Sequence, residues 1–261
     1  MQNWEHVLHI FKHLNRIPKE SHGCDFSRVK SYFLDGHAQY LRQTIVLAES
    51  LTPEMNSLYN QMFKNVAGKV KIARAHMGTI HETLVQVPQY FKRFDAVSAS
   101  DEPDARFRFF TEKIFPTIQK SALQQSHTLI FIPSYFDFVR IRNFFKESEL
   151  SFEKLCEYTE SKNISRARGE FFKGNVSFLL YTERFHFFRR YTIRGVKHVV
   201  FYGLPENQQF YSEMLNNLQN AEESTCMALF SKYDRLRLER IVGTKRVERM
   251  CSGQKDAFMF S

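Results

Sequence analysis

Residues 127–145, HTLIFIPSYFDFVRIRNFF, decide the predicted fold. The stretch begins with an apolar run that ends at Pro133, and residues 135–145 continue it with the spacing of an amphipathic helix. The same alternation extends along the chain. Further strands are predicted at 152–157, 176–181, 198–202 and 225–230, and further helices at 105–120, 165–173, 207–218 and 231–242. This pattern predicts an α/β fold in which helices cover both faces of a parallel sheet.

The chain before residue 105 is less regular. Residues 2–15 have the apolar spacing of a helix. Thr52 followed by Pro53 is typical of a helix start, with threonine as the N-cap and proline in the first turn. Short strands are predicted at 44–48, 66–70 and 84–87.

A polar, turn-rich stretch, DAVSASDEPD at 95–104, predicts a domain boundary. We place one domain at 1–95, a linker at 96–104 and a second domain at 105–261. The second domain ends in a basic helical segment, where Asp234, Glu239 and Glu248 alternate with lysines and arginines. Mixed charges at helical spacing favour a solvated face here.

Composition restricts the class of protein. The 261 residues carry a net charge of +9 with a pI near 9.4, which favours an anionic partner, nucleic acid ahead of membrane. The four cysteines form no CxxC pair, so neither a zinc ribbon nor a disulfide framework is expected. The start of the chain lacks the pattern of a signal peptide, and no apolar run has the length of a membrane span. We expect a soluble intracellular chain without a membrane partner.

Common catalytic and metal-binding motifs are missing from the sequence. The chain has no GxGxxG, GxSxG or HExxH. Gly68-Lys69 does not form a P-loop, because Phe63 replaces its first glycine and Val70 its serine or threonine. Three histidines share one face of the first predicted helix, but no carboxylate or cysteine accompanies them at ligand spacing. We predict no catalytic residue, no metal site and no cofactor.

Several phrases resemble DEAD-box RNA helicases. HTLIFIPS at 127–134 is similar to the motif that opens their second RecA-like lobe. FLLYTE at 178–183 and VVFYGLP at 199–205 are similar to later strands of that lobe, and RQTIVLAESLTPE at 42–54 is similar to the segment that closes the first. The resemblance implies a second RecA-like lobe preceded by the C-terminal part of a first.

Departures from the helicase pattern concern its chemistry. Ala48-Glu49-Ser50 replaces the Ser-Ala-Thr triplet, and residues 188–192 replace the Ala-Arg-Gly-x-Asp segment. The final motif, with its histidine and three arginines, becomes EMLNNLQN at 213–220. Such arginines neutralise charge in phosphoryl transfer, so their loss predicts a protein without ATPase activity. A divergent ATP-dependent RNA helicase stays an alternative, and so does a nucleolar adaptor that recruits proteins.

A more specific phrase is LYTERFHFFRRY at 180–191. It resembles the digestive organ expansion factor family, also described as U3 small nucleolar RNA-associated protein 25. That resemblance implies a nucleolar component of the small-subunit processome that acts in pre-rRNA processing and 18S rRNA production. The implied partners are pre-rRNA, the U3 snoRNA-containing preribosomal particle and processome proteins. Family members are longer, so the chain is expected to be a C-terminal fragment or a short isoform.

The same phrase holds the candidate RNA-binding residues. Its arginines neutralise phosphates, and the aromatic rings between them can stack on bases, which together is the chemistry of single-stranded RNA binding. A solvated rim around buried phenylalanines and a protein interface are the competing interpretations. The predicted RNA-binding residues are Thr182, Arg184, Arg189 and Arg190 in this phrase, with Arg166 and Arg168 on the preceding helix.

Overall fold

The computed structural model describes residues 3–17, 20, 22–48, 51–72, 75–121, 126–218 and 223–261. The chain forms two compact units, residues 1–74 and 75–261. The helices of the first unit are α1 (Trp4–His13), α2 (Ser31–Leu34), α3 (Ala38–Leu41) and α4 (Pro53–Gln61). Those of the second are α5 (Glu102–Phe109), α6 (Phe115–Lys120), α7 (Tyr135–Glu147), α8 (Ser161–Lys173), α9 (Glu183–Arg189), α10 (Gln209–Leu215), α11 (Arg235–Val242) and α12 (Thr244–Ser252).

The first unit confirms the two predicted helices and contradicts the predicted strands. The Thr52 hydroxyl accepts a hydrogen bond from the Met55 amide at 3.4 Å, which caps α4 as predicted. Residues 44–48 and 66–70 are not strands, and neither are residues 84–87 in the second unit. In two of these runs a backbone amide bonds outside any strand, that of Val66 to the Tyr40 carbonyl at 2.9 Å and that of Leu84 to Asn216 Oδ1 at 2.8 Å. An apolar run becomes a strand only beside another strand, and these runs have no such neighbour among the residues that the structure describes.

The second unit is built on one sheet of seven strands. They are β1 (Gln89–Arg93), β2 (Thr128–Ile132), β3 (Phe152–Leu155), β4 (Phe178–Thr182), β5 (His198–Phe201), β6 (Thr225–Phe230) and β7 (Ala257–Phe260). Their order across the sheet is β3-β4-β2-β5-β6-β1-β7. Every neighbouring pair is parallel except β1 with β7, which is antiparallel.

Alternate residues of the central strands pack into two separate cores. Leu129 and Phe131 face one core, together with helical residues such as Phe171 of α8. Ile130 and Ile132 face the other core, which includes Phe145 of α7. Because successive strand residues point to opposite faces, both faces of the sheet are covered by helices. The predicted parallel α/β fold is confirmed.

The sheet begins earlier than the predicted domain boundary. β1 pairs in parallel with β6, so Gln89–Arg93 belong to the unit that the prediction starts at residue 105. Helix α5 begins at Glu102, inside the stretch predicted as a linker. The prediction differs because β1, QYFKR, mixes polar and apolar residues, and only its pairing with distant strands identifies it as a strand.

A buried ion network joins α5 to the start of α11. The Arg106 side chain is nearly inaccessible, and its guanidinium pairs with Glu102 and with Asp234 Oδ2, the latter at 3.0 Å. The same guanidinium lies 5.9 Å from the centre of the Tyr202 ring. Gly203 leaves space for it, since a Cβ at residue 203 would lie 2.6 Å from Arg106 Nη1.

Replacing Gly203 with alanine is therefore expected to destabilise the fold. The new methyl group would displace a guanidinium held by two carboxylates, so we expect the free energy of unfolding to fall by about 1–3 kcal/mol. The control is Gly169→Ala in α8, where a Cβ meets nothing within 4 Å and helix propensity predicts a gain of about 0.5–1 kcal/mol. Urea denaturation measures both changes. Equal stability of the two variants would contradict the close approach of Gly203 to Arg106.

Candidate nucleic-acid interface

Helix α9 begins at the carboxyl end of β4, where parallel α/β sheets commonly bind ligands. Thr182 is its N-cap, and the Phe185 amide donates to the Thr182 hydroxyl at 3.3 Å. The hydroxyl itself donates to Glu157 Oε2 at 3.0 Å. Thr182 is only 1% exposed, so this predicted RNA-binding residue shapes the start of α9 and is covered by its neighbours.

Glu183 fixes the loop that follows β5. Its buried carboxylate accepts hydrogen bonds from the backbone amides of Glu206 and Asn207 at 3.0–3.1 Å. Burial raises the pKa of Glu183 to about 7, although these hydrogen bonds favour the charged form. The residue was not predicted to have a role, because nothing in the sequence places residues 206 and 207 beside it.

His186 is buried on the inner side of α9. Its Nε2 lies 2.7 Å from Glu213 Oε2 of α10, and its Nδ1 lies 3.0 Å from the Tyr181 hydroxyl. Its ring is perpendicular to the Phe210 ring, with the centroids 4.7 Å apart. Burial lowers the pKa of His186, which favours the neutral ring. The carboxylate can only accept, so the neutral ring donates from Nε2 to Glu213 and accepts the Tyr181 proton at Nδ1.

Arg190 ends α9 and pairs with the same carboxylate. Its backbone is left-handed, with φ of 46°, and its Nη1 donates to Glu213 Oε1 at 2.6 Å. The guanidinium also lies 5.0 Å from the centre of the Phe210 ring. This predicted RNA-binding residue therefore has a protein anion as its partner, which partly neutralises its charge.

The outer side of α9 presents two cations and two aromatic rings. We call Arg184, Phe187, Phe188 and Arg189 the α9 surface. Phe187 and Phe188 are 57% and 59% exposed, and Arg184 and Arg189 are exposed as well. The Arg184 guanidinium lies 5.7 Å from the centre of the Phe188 ring. Within the described part of the chain, neither arginine has an ion pair, so both are free to meet an anion.

The two predicted residues of α8 differ in their surroundings. Arg168 donates to the Thr192 carbonyl at 3.1 Å and lies 4.6 Å from the centre of the Tyr191 ring, so it holds the segment that follows α9. Arg166 has a side chain that is 65% exposed, and its nearest carboxylate oxygen, on Glu153, is 3.8 Å away. The Arg166 side chain is thus accessible to a ligand, whereas the Arg168 guanidinium is already bound by other residues of the chain.

The residues at the altered helicase motif have structural partners of their own. Glu213 bridges His186 and Arg190, and Met214 is buried in the core. Asn217 donates to the Glu213 carbonyl at 3.2 Å. Asn220, the last residue of the predicted pattern, lies outside the described residues, as do Glu49 and Ser50 of the replaced triplet.

Two arginines of helix α11 are ion-paired. Arg237 of α11 pairs with Glu206 and, at 3.2 Å, with Asp234, and Arg235 pairs with Glu248 of α12.

Among the residues that the structure describes, no group of three or more histidines, cysteines and carboxylates could hold a metal ion. Over the same residues, no helix is both long enough and apolar enough to cross a bilayer.

Two family models match the chain. The model described as Utp25, C-terminal domain, matches residues 79–260, and the one described as UTP25, NTP hydrolase-like domain, matches residues 1–70. The chain belongs to the Utp25 family. The resemblance inferred from residues 180–191 is therefore confirmed.

Two relatives show how much of a Utp25 protein this chain represents. U3 small nucleolar RNA-associated protein 25 of Sclerotinia sclerotiorum is 48% identical over 273 residues, which cover 100% of this chain and 38% of the relative. The homolog of that protein in Homo sapiens is 46% identical over 266 residues, which cover 100% of this chain and 35% of the relative. The chain thus spans between a third and two fifths of the length of these relatives.

The comparison with solved structures matches two DEAD-box proteins, both at low identity. SrmB of E. coli, bound to regulator of ribonuclease activity A, has a TM-score of 0.45 and 15% identity over 60% of this chain and 84% of its own. The C-terminal domain of the DEAD-box protein Dbp5 has a TM-score of 0.43 and 14% identity over 55% of this chain and 76% of its own. The α/β fold class of the Utp25 chain is supported by its own sheet order and register.

Proposed function

We propose that the chain binds single-stranded RNA through the α9 surface as a non-catalytic, DEAD-box-like component of the small-subunit processome. The observation that carries the proposal is the exposure of two arginines, neither ion-paired with any described residue, beside two exposed phenylalanines on one short helix. Cations neutralise phosphates and aromatic faces stack on bases, a combination that binds single strands with little dependence on sequence.

The biological setting of the proposal comes from the family. Relatives that this chain covers only in part are named U3 small nucleolar RNA-associated protein 25. We therefore assign the chain to ribosome biogenesis in the nucleolus, with pre-rRNA, the U3 snoRNA-containing particle and processome proteins as its partners. Its role there would be pre-rRNA processing and 18S rRNA production. We also retain the assignment of the segment before the sheet to the end of a first RecA-like lobe.

The residues divide into RNA ligands and residues that shape the site. Arg184 and Arg189 are the proposed phosphate ligands, and Arg166 is a further candidate because it is exposed. We assign Thr182, Arg168 and Arg190 to shaping the interface, since each bonds within the protein. RNA-stimulated ATP hydrolysis by the full-length protein would favour the alternative of a divergent helicase.

Replacing Arg184 and Arg189 together with alanine is expected to weaken RNA binding and to flatten its salt dependence. Each phosphate contact on a single strand contributes about 0.7 to the slope of log affinity against log salt, so the slope should fall by about 1.4. Fluorescence anisotropy with a labelled, unstructured RNA, at several salt concentrations, measures both quantities.

The matched control is Arg108→Ala with Lys232→Ala, which removes the same charge from exposed positions on α5 and after β6. Its slope should stay within experimental error of that of the unmodified protein. Equal slopes for the two double variants would refute phosphate binding by the α9 surface. If the unmodified protein also gives no crosslink to pre-rRNA in cells, the chain is instead an adaptor that recruits proteins.

A further inference from the structure

One carboxylate contacts α9 both in the middle of the helix and at its C-terminal end. Glu213 Oε2 accepts from His186 Nε2 at 2.7 Å, and Glu213 Oε1 accepts from Arg190 Nη1 at 2.6 Å. His186 lies within the helix and Arg190 is its C-cap, so α10 is tied to α9 at two positions four residues apart. Tyr181 extends the network to β4 through its bond to His186 Nδ1.

This carboxylate is only partly exposed, and its histidine partner is almost completely buried. A buried side chain whose hydrogen-bond partner is removed loses more free energy than a solvated one, because water does not replace the lost bond. The His186 ring also packs perpendicular to the Phe210 ring while its Nε2 lies within hydrogen-bond distance of Glu213. The network therefore fixes the rotation of α9 as well as its position.

We propose that Glu213 is a positioning residue for RNA binding, acting through His186 and Arg190 to aim the α9 surface. The inference rests on the proposed function. It adds to the proposed site a carboxylate, whose charge is opposite to that of the phosphate-binding arginines. A carboxylate next to a phosphate-binding surface repels RNA, so simple electrostatics predicts that removing it strengthens binding. Positioning predicts the reverse when the hydrogen bonds are lost with the charge.

Glutamine and alanine at residue 213 separate these two effects. Both variants have the same net charge. Glu213→Gln retains an acceptor for Arg190, and its amide can donate to His186 Nε2 once the imidazole proton moves to Nδ1 and donates to Tyr181 Oη. Glu213→Ala loses both bonds. We expect the alanine variant to bind the labelled RNA about 2- to 150-fold more weakly than the glutamine variant, the range of coupling between residues in one network.

The charge control is Glu223→Gln, which removes an exposed carboxylate that pairs with Lys197 at 2.9 Å. Binding by Glu213→Gln should agree with binding by Glu223→Gln within about twofold. In Glu213→Ala the slope of log affinity against log salt should also be smaller, because Arg184 and Arg189 no longer contact phosphates together. Equal affinities of Glu213→Ala and Glu213→Gln would overturn the proposal.

Amide hydrogen exchange of residues 183–190 provides a readout that is independent of RNA. Exchange should be faster in Glu213→Ala than in Glu213→Gln. Equal exchange would overturn the positioning of α9 by Glu213 whether or not RNA binds. Failure of the unmodified protein to bind RNA would instead overturn the proposed function, and with it the role of that positioning in RNA binding.

If Glu213→Ala does not fold, Tyr181→Phe tests the same network without a change of charge. Loss of the hydroxyl leaves His186 Nδ1 without its partner, so α9 should exchange faster and RNA should bind more weakly than in the unmodified protein. Unchanged exchange and affinity in this variant would then overturn the proposal.

Discussion

Replacing Arg106 with methionine is expected to lower the free energy of unfolding by about 3–5 kcal/mol, the cost of removing one partner from a buried ion pair. The substitution leaves Glu102 without its arginine in a half-buried site and removes one of the partners of Asp234. Burial already raises the pKa of Glu102. The loss should therefore be larger at pH 8 than at pH 5, where the isolated carboxyl takes up a proton more easily.

Two further variants define what Arg106 contributes. Arg108→Met changes an exposed arginine in the same helix and should alter stability by less than about 0.5 kcal/mol. Arg106→Met combined with Glu102→Gln removes both charges and should recover part of the loss. Urea denaturation at both pH values measures all three proteins. A loss of under about 1 kcal/mol in Arg106→Met would show that the network does not stabilise the junction of α5 and α11.

The pH dependence of stability should change in Glu183→Gln. The pKa of Glu183 is about 7 in the folded protein and about 4.5 in an unfolded chain. Because the folded state holds its proton more tightly, Glu183 lowers stability as pH rises from about 4.5 to 7, by roughly 3 kcal/mol in total. Glutamine keeps an acceptor for the Glu206 and Asn207 amides and cannot ionise.

The variant should therefore match the unmodified protein at low pH and be more stable by about 3 kcal/mol above pH 7. Comparing the two proteins at each pH cancels the titration of every other group. Glu112→Gln, at an exposed position of the second unit, serves as the control and should show no such difference. The same stability difference at pH 5 and pH 8 would show that Glu183 has no raised pKa.

The sequence correctly predicts the four strands at the centre of the sheet, and also β3 at one edge, within the predicted 152–157. β2, β4, β5 and β6 are continuous apolar runs because neighbours cover both of their faces. The strand nearer the edge, β1, contains Gln, Lys and Arg, and β7 has alternate exposed residues, so neither has this pattern. Their assignment depends on pairing between distant segments, which a local pattern does not contain.

The sequence indicated the region of the candidate site, but not which of its residues are available to bind RNA. Cations interleaved with aromatic residues drew attention to 180–191, where the structure exposes Arg189 and Arg190, but the sequence did not separate these two arginines. Arg190 differs from Arg189 because it pairs with Glu213, which lies 23 positions later in the chain. His186 and Glu183 were missed for the same reason, since their partners lie on other elements.

The position of β1 has a consequence for synthesis on the ribosome. β1 pairs with β6 and β7, and Gln89 meets Cys226, which is translated about 140 residues later. At about 5–20 residues per second, β1 waits roughly 7–30 s before its first neighbour is made. Contacts so distant in the chain also slow folding, because the intervening loop must close first. The nascent chain thus carries β1 unpaired, with two open edges, while these residues are translated, an interval in which it depends on protection from aggregation.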